Sequence, residues 1–317
     1  MPEVLITRPM PEKVVTEAMT RFSLTLRDDT TPMTEDQLVE ALHGYDAILP
    51  TLGDPLSTRV FEAAHAPRCR LLANFGVGYN HIDVAAARAA GVAVTNTPGA
   101  VTDATADIAM TLMLMTARRA GEGERLVRSG GWEGWHPTQM LGTHLTGKRL
   151  GIIGMGRIGK AIAKRAHFGF DMQVCFFNRS RVADPGLPAR QLDLPGVLGT
   201  ADFVVLAVPA NPATHHLIDG AALAQMQSHA ILINIARGDI VDEPALIAAL
   251  EAGKIAGAGL DVYEHEPQVP AVLRRMENVT LLPHLGTAAL EIREAMGLMA
   301  VDNLKAFFDG RPLPNPV

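Results

Sequence analysis

The sequence predicts an α/β protein of two domains, each built on a doubly wound parallel sheet. Short β-rich segments alternate with amphipathic helical segments in two separate series, and such alternation is typical of parallel sheets covered by helices. A turn with the spacing GxGxxG stands between a strand and a helix at the start of the second series. The length of 317 residues exceeds what one hydrophobic core usually fills, which favours two domains.

Composition limits the kinds of partner that we expect. The chain has a formal net charge of −6, with 48% hydrophobic and 20% charged residues, so it offers no basic field to nucleic acid or to anionic lipid. The most apolar helical stretch, residues 106–117, is too short to span a bilayer. The N-terminal residues predict a strand and lack the features of a secretion signal. We therefore expect a cytoplasmic protein that binds neither nucleic acid nor a membrane. We expect Cys69 and Cys175 to be buried free thiols.

The first series of elements has one well-marked helix and four predicted strands. Thr34, with Gln37 three positions later, is a capping-box pattern that marks a helix start. Gly44 is the expected C-terminal cap of this helix. The predicted strands are Val4–Thr7, Ala47–Pro50, Leu71–Asn74 and Ala93–Asn96.

A long helical segment leads from the first series to the second. It begins near Thr102, runs to Arg119 and is open to extension as far as Arg128. The strands predicted after it are Leu150–Ile153, Val174–Phe177, Phe203–Leu206, Ile231–Ile235, Gly257–Asp261 and Val279–Leu282. Residues 287–308 have a helical pattern beyond the last of these strands, so we expect them to return to the first domain. The predicted domains are therefore residues 1–98 with 288–317, and an inserted domain of residues 99–287.

The glycine-rich turn predicts a dinucleotide site. Gly154 permits the tight turn, Gly156 lets the backbone approach a pyrophosphate, and Gly159 allows close packing of the following helix. The strand, helix and second strand that a βαβ unit needs all surround the motif. We therefore predict a Rossmann domain whose helix N-terminus faces the pyrophosphate. A glycine-rich turn without a ligand is the alternative.

The residues after the second strand of this unit favour NADPH as the cofactor. NAD-selective sites usually place a carboxylate here to bind the ribose 2′-hydroxyl, whereas this chain has Asn178-Arg179-Ser180-Arg181. Two guanidinium groups and a hydroxyl can bind a 2′-phosphate. We expect NADPH, with NADH accepted at lower preference. The alternative is an ordinary solvated basic loop.

An arginine, a histidine and two candidate carboxylates follow later strands of the second series, and together they suit the reduction of a 2-oxo acid. Arg237 can hold the carboxylate and carbonyl oxygens of such an acid with its planar fork. His284 can donate a proton to a carbonyl oxygen as a hydride reaches the carbon. A nearby carboxylate would favour its protonated form, and the loop between them offers Glu264 and Glu266.

Each of these residues also has a simpler interpretation. Taken alone, Arg237 suits a surface ion pair and His284 a structural position. A zinc site is another alternative, since the chain has the suitable residue types in Glu264, His265, Glu266 and His284. Adjacent residues on an extended segment point to opposite sides, however, so we expect no metal.

Along nearly its full length the sequence resembles the D-isomer-specific 2-hydroxyacid dehydrogenase family. The motifs that match in order are Asn74-Phe75-Gly76-Val77-Gly78, the glycine turn, and the Arg, Glu and His just described. The resemblance implies a flavodoxin-like substrate domain with the Rossmann domain inserted in it. It implies substrate binding at Val77, Gly78, Arg237 and His284, and catalytic roles for Arg237, Glu266 and His284. It implies cofactor contacts at Thr105, Gly154, Gly156, Arg157, Ile158, Gly159, Asn178, Arg179, Ser180, Arg181, Val208, Pro209, Ala236, Asp261, His284 and Gly286.

Within that family the chain is most similar to the NADPH-using glyoxylate/hydroxypyruvate reductase branch. The resemblance implies reduction of a small 2-oxo acid, either glyoxylate or hydroxypyruvate, by a homodimer. Trp132 and Trp135 resemble a segment that helps form the dimer in this branch, although Gln139 stands where some relatives have a further tryptophan. Simple packing is the other interpretation of these tryptophans. Reduction of a larger 2-oxo acid and a non-catalytic nucleotide-sensing scaffold remain as alternative functions.

Overall fold

The computed structural model describes all residues, 1–317, and divides into two compact units. The first consists of Met1–Val101 together with Ala288–Val317, and the second of Thr102–Thr287. The sequence patterns place the first boundary after residue 98, whereas the units separate after Val101. The assignment of the first unit to the substrate and of the second to the cofactor stays a prediction.

The first unit has a five-stranded, all-parallel sheet. Its strands are β1 (Glu3–Ile6), β2 (Ser23–Leu26), β3 (Ala47–Leu49), β4 (Leu71–Ala73) and β5 (Ala93–Thr95), in the order β2-β1-β3-β4-β5. This is the flavodoxin-like order, and it confirms the predicted fold of this part of the chain. The sequence did not predict β2 because this edge strand is mostly exposed and lacks a run of apolar residues.

Five helices cover this sheet: α1 (Glu12–Met19), α2 (Glu35–Gly44), α3 (Thr58–Ala63), α4 (Val84–Ala89) and, from the end of the chain, α11 (Leu290–Phe308). The predicted capping box of α2 is confirmed, since Thr34 Oγ1 accepts from Gln37 N and Gln37 Oε1 accepts from Thr34 N. The prediction for Gly44 is wrong. Gly44 is the last helical residue, and the cap is Tyr45 in an extended conformation.

The second unit has a seven-stranded, all-parallel sheet. Its strands are β6 (Arg149–Ile153), β7 (Gln173–Phe177), β8 (Ala189–Gln191), β9 (Phe203–Leu206), β10 (Ile231–Asn234), β11 (Gly257–Leu260) and β12 (Val279–Leu281). The order is β12-β11-β10-β9-β6-β7-β8. Counted from β6, this is the Rossmann order 3-2-1-4-5-6 with one further strand, which confirms the predicted fold. The short, partly exposed β8 was not predicted.

Six helices belong to the second unit: α5 (Thr102–Ala117), α6 (Ala120–Arg128), α7 (Arg157–Phe170), α8 (Leu194–Leu198), α9 (Gly220–Leu223) and α10 (Glu243–Glu251). The helical segment predicted from Thr102 stops at Ala117, because Arg119 adopts a left-handed backbone with φ of +52° and begins a new helix. Ala106 and Leu112 of α5 are fully buried in the core. No helix of the protein is both long and apolar enough to cross a membrane.

The two cysteines are free and buried, as predicted. Burial raises the pKa of Cys69 to about 12 and also raises that of Cys175. Neither thiol is therefore a ready nucleophile at neutral pH.

Candidate active site

The glycine turn joins β6 to α7. A Cβ on Gly154, whose φ is +103°, would lie 2.7 Å from the carbonyl oxygen of Ala207, and a Cβ on Gly159 would lie 2.1 Å from that of Gly154. A Cβ on Gly156 would meet no atom within 4 Å. The first and third glycines are thus required by packing, while the second leaves the approach to the N-terminus of α7 open. This cradle fits the pyrophosphate of a dinucleotide.

Hydrogen bonds fix the loop after β7 next to this turn. Asn178 Oδ1 accepts from Met155 N at 3.3 Å, and Asn178 Nδ2 donates to the carbonyl oxygen of Ser180 at 2.9 Å. Gln191 on β8 donates to the carbonyl oxygens of Asn178 and Ser180, at 3.2 and 3.0 Å. The edge strand β8 therefore shapes the loop that the sequence assigns to the ribose.

Arg179 and Arg181 of this loop are exposed. Other arginines of the second unit, such as Arg119 and Arg165, are paired with carboxylates, but no ion pair involves Arg179 or Arg181. Their guanidinium groups are therefore available to an anionic ligand.

The other predicted cofactor residues near the glycine turn follow the same edge of the sheet. Val208 and Pro209 follow Ala207 in the loop after β9, and Cγ1 of Val208 would lie 2.7 Å from a Cβ on Gly154. Arg157 and Ile158 form the first turn of α7. All four follow carboxyl ends of neighbouring strands, where open α/β sheets bind ligands.

His284 and Glu266 form a hydrogen-bonded pair. His284 Nδ1 lies 2.8 Å from Glu266 Oε2, and Glu266 Oε1 accepts from Tyr263 N at 3.1 Å. Burial alone would raise the pKa of Glu266, but the hydrogen bond and charge of His284, with help from Arg237, hold it below its ordinary value. An ionised carboxylate only accepts hydrogen bonds, so Nδ1 of His284 carries a hydrogen in this pair.

Asp261 shapes the turn that carries His284. Its Oδ1 and Oδ2 accept from the backbone N–H groups of Leu285 and Gly286, at 2.6 and 2.8 Å. Its carbonyl oxygen accepts from His284 N at 2.9 Å, and Thr105 Oγ1 donates to the carbonyl oxygen of Gly286 at 3.1 Å. His284 has a φ of +54°, a conformation that needs such support. The predicted cofactor contacts of Asp261, Thr105 and Gly286 stay predictions.

Arg237 follows β10 and is held close to the loop after β11. Asn234 Nδ2 donates to the carbonyl oxygen of Arg237 at 2.8 Å, and Asn234 Oδ1 accepts from Ala236 N at 3.0 Å. A Cβ on Gly238 would lie 1.9 Å from the carbonyl carbon of Tyr263, so the two backbones are in direct contact. Burial lowers the pKa of Arg237. Because β10, β11 and β12 are neighbours in the sheet, the predicted Arg, Glu and His lie at one edge.

The other carboxylate of the loop belongs to a different pair. Glu264 Oε1 lies 2.9 Å from His216 Nε2, while Glu266 pairs with His284. The ring of His215 stacks on that of His216, with centroids 4.0 Å apart and an interplanar angle of 25°. Nitrogen lone pairs lie in the ring planes, so stacked rings do not direct both toward one ion.

In the first unit, the loop after β4 contains the predicted substrate-binding residues Val77 and Gly78. The side-chain amide of Asn74 donates to the carbonyl oxygens of Gly76 and Gly78, both at 3.1 Å. The amide of Asn96 donates to the carbonyl oxygen of Val77 at 2.9 Å. Protein donors therefore hold the carbonyl groups of Gly76, Val77 and Gly78.

The segment between α6 and β6 presents exposed apolar side chains. The exposed fractions are 53% for Trp132, 79% for Trp135 and 67% for Leu141. With its amide oxygen toward the indole, Gln139 lies 3.2 Å from Trp132 Nε1. Packing within the chain therefore does not bury these tryptophans.

Sequence reasoning missed the residues that support the site. Asn234 and Gly238 flank Arg237, and Asn and Gly are frequent where a chain turns sharply, so a local signal was present. Gln191 gave no signal, because its role depends on the pairing of β8 with β7.

The strand order, the glycine cradle and the paired His284 and Glu266 define a dinucleotide-binding enzyme of the Rossmann class. Residues 110–286 match the family described as D-isomer specific 2-hydroxyacid dehydrogenase, NAD binding domain. The chain is 44% identical to a glyoxylate reductase of Pyrococcus furiosus, over 100% of this chain and 95% of that protein. It is 38% identical to a glycerate dehydrogenase of Hyphomicrobium methylovorum, over 97% of this chain and 96% of that protein.

A solved structure shows the same likeness. The NADPH-dependent glyoxylate/hydroxypyruvate reductase of Sinorhizobium meliloti, in complex with NADP and malonate, superimposes with a TM-score of 0.88 at 34% identity. The alignment covers 100% of this chain and 96% of that one. The protein therefore belongs to the D-isomer specific 2-hydroxyacid dehydrogenase family, which confirms the resemblance. It is a 2-hydroxyacid dehydrogenase that uses a nicotinamide cofactor to reduce a 2-oxo acid to a 2-hydroxy acid.

Proposed function

We propose that this enzyme reduces glyoxylate or hydroxypyruvate with NADPH. The observation that carries the proposal is the 2.8 Å hydrogen bond between His284 Nδ1 and Glu266 Oε2, at the sheet edge that also holds Arg237. The names of the relatives support these two substrates, since they include a glyoxylate reductase and a glyoxylate/hydroxypyruvate reductase.

The proposed roles of the three side chains follow from their chemistry. When bound, the cofactor supplies a hydride to the carbonyl carbon. The Nε2–H of protonated His284 gives its proton to the carbonyl oxygen, on which negative charge develops. Glu266 stabilises the imidazolium and keeps the hydrogen on Nδ1, so that Nε2 faces the substrate. Arg237 binds the oxygens of the 2-oxo acid with its planar fork and orients the carbonyl group.

The preference for NADPH is supported by the loop after β7. Arg179 and Arg181 are exposed and without carboxylate partners, and Asn178 stands where a carboxylate would repel a 2′-phosphate. Asn178 and Gln191 hold the loop in place. Such a loop suits a phosphate, because the guanidinium groups of Arg179 and Arg181 need not leave an ion pair within the protein in order to bind it.

We also propose that the enzyme is a homodimer. The support comes from the exposed side chains of Trp132, Trp135 and Leu141, all on the segment between α6 and β6. Large apolar side chains exposed on one part of a surface often mark an interface between proteins. The resemblance stated for this segment points to a second copy of the chain.

The direct test is a panel of 2-oxo acids assayed with NADPH and with NADH. We expect the highest kcat/KM with glyoxylate or hydroxypyruvate and NADPH, and lower values with larger acids such as phenylglyoxylate. H284A should lower kcat by about 10²- to 10⁴-fold, far more than it weakens the binding of NADPH. Cofactor binding without turnover of any acid would instead favour a nucleotide-sensing scaffold.

A further inference from the structure

The loop after β4 has three consecutive carbonyl groups that all accept hydrogen bonds from within the first unit. Asn74 Nδ2 donates to the carbonyl oxygens of Gly76 and Gly78, each at 3.1 Å. Asn96 Nδ2 donates to the carbonyl oxygen of Val77 at 2.9 Å. The backbone N–H of Thr97 adds a second bond to Gly76, at 3.0 Å. No carbonyl of this stretch is left to rotate freely.

This arrangement fixes the direction of the neighbouring N–H groups. In a trans peptide the C=O of one residue and the N–H of the next point in opposite directions. Each N–H group of Val77, Gly78 and Tyr79 therefore points away from the asparagine amide that holds the preceding carbonyl group. None of these three N–H groups donates to an acceptor of the protein. Successive free backbone N–H groups can form a concave site for an anion.

The two asparagines differ in their surroundings but share this task. Asn74 is fully buried, and its Oδ1 has no hydrogen-bond partner. A buried polar side chain with an unsatisfied oxygen costs stability, yet its Nδ2 makes two bonds to the loop. Asn96 follows β5 and is tied at its own N–H to the carbonyl oxygen of Asn315, at 3.1 Å. Both amides therefore sit on rigid elements and reach the loop from strand ends.

We propose that Asn74 and Asn96 are positioning residues, whose amides turn the N–H groups of Val77, Gly78 and Tyr79 toward the carboxylate of the 2-oxo acid. The proposal rests on the proposed function, because it takes the substrate to be a carboxylic acid. The asparagines themselves do not touch the substrate. They hold the backbone that does.

The test replaces each amide by an apolar group of similar shape. N74L and N96L lose the donors, so the released carbonyl groups can turn, and the N–H groups of the same peptide units turn with them. We expect KM for glyoxylate to rise about ten- to hundredfold, with a smaller change in kcat and an unchanged Kd for NADPH. The inhibition constant of oxalate, which offers carboxylates but no reducible carbonyl group, should rise by the same factor as KM.

A matched control is T95V. Thr95 is buried on β5 next to Asn96, and its Oγ1 has no hydrogen-bond partner, so its loss should leave KM and oxalate inhibition unchanged. Thermal unfolding of all three variants shows whether each is folded. If N74L cannot be purified in folded form, N96L alone decides, since Asn96 is less buried.

Failure of this proposal is distinguishable from failure of the proposed function. If the wild-type enzyme reduces glyoxylate but folded N96L keeps its KM and oxalate inhibition, the positioning role is wrong while the function stands. If the wild type reduces no 2-oxo acid, the function is wrong, and oxalate binding measured by calorimetry then decides on the anion site. Equal oxalate affinity of wild type and N96L would overturn the proposal in that case too.

Discussion

One hydrogen bond joins Glu266 to the proposed proton donor, His284. Burial raises the pKa of Glu266, but the hydrogen bond and charge of His284 hold it below its ordinary value. In the proposed mechanism this ionised carboxylate stabilises the imidazolium. In E266Q the neutral amide no longer stabilises the imidazolium, so kcat/KM for reduction should fall at a lower pH than in the wild type. At neutral pH we expect a loss of about one to two powers of ten. A pH–rate profile measures both effects.

Glu264 provides a matched control for that variant. It lies on the same loop but pairs with His216, so E264Q should keep the wild-type pH dependence. A profile of E266Q that coincides with that of E264Q would show that Glu266 does not govern the proton donor.

His216 gives a separate pH dependence, that of stability. The hydrogen bond that His216 donates to Glu264 raises the pKa of His216 above its ordinary value, with burial acting against it. A group whose pKa is raised by folding stabilises the protein below its unfolded pKa, near 6.5, and loses this effect as pH rises through the folded value. H216Q should therefore lower Tm more at about pH 5.5 than at about pH 9.

H144Q is the control for this measurement, since His144 is exposed and has no ion pair. It should change Tm little at either pH. A Tm difference between H216Q and wild type that is the same at both pH values would contradict the assignment.

The contact between the loops after β10 and β11 depends on one glycine. A Cβ on Gly238 would lie within 2.0 Å of both the carbonyl carbon and oxygen of Tyr263, and backbone cannot yield as a flexible side chain does. G238A should destabilise the protein by about 1–3 kcal/mol and lower kcat/KM, because Arg237 and Glu266 would be displaced. Denaturant unfolding and steady-state kinetics measure the two effects.

At Gly169 we expect the same substitution, glycine to alanine, to have the opposite effect on stability. It lies in α7, and a Cβ there would meet no atom within 4 Å. G169A should raise stability by about 0.5–1 kcal/mol through helix propensity. Equal behaviour of G169A and G238A would contradict the packing argument.

The loop after β7 should decide the choice of cofactor. Because only NADPH carries the 2′-phosphate, R179Q/R181Q should raise KM for NADPH about ten- to hundredfold and leave NADH nearly unaffected. High ionic strength should weaken NADPH use more in the wild type than in the double variant. Arg190 on β8 is also exposed, and R190Q controls for the loss of positive charge nearby. A wild-type NADPH/NADH ratio in R179Q/R181Q would remove the basis of the proposed preference.

At the scale of the whole molecule, the proposed homodimer can be tested directly. Light scattering should give a mass of about twice the 33.9 kDa of one chain. W132S/W135S should shift the protein toward the monomer, because two large exposed apolar side chains of the proposed interface would be lost. Phe168 of α7 is 65% exposed, and F168S should remain a dimer. A wild-type monomer at micromolar concentration would rule out the proposal.

Much of the fold could be predicted because each element depends on a few neighbouring residues. Ten of the twelve strands gave local signals, and the two that did not, β2 and β8, are short edge strands with little apolar character. The sequence did not predict the break between α5 and α6, because the residue with the left-handed backbone is Arg119 and not a glycine, which would have indicated a turn.

By itself, the sequence determined the two parallel sheets, the glycine turn and the strand ends that carry Arg237 and His284. Periodicity and turn residues act over a few positions, and parallel strands bring their carboxyl ends to one edge whatever their loops do. Only the tertiary structure decided which carboxylate pairs with which histidine. Glu264 and Glu266 are near neighbours in the chain, yet Glu264 is hydrogen-bonded to His216 and Glu266 to His284. Such pairing depends on how distant backbones approach each other, and no local pattern encodes that approach.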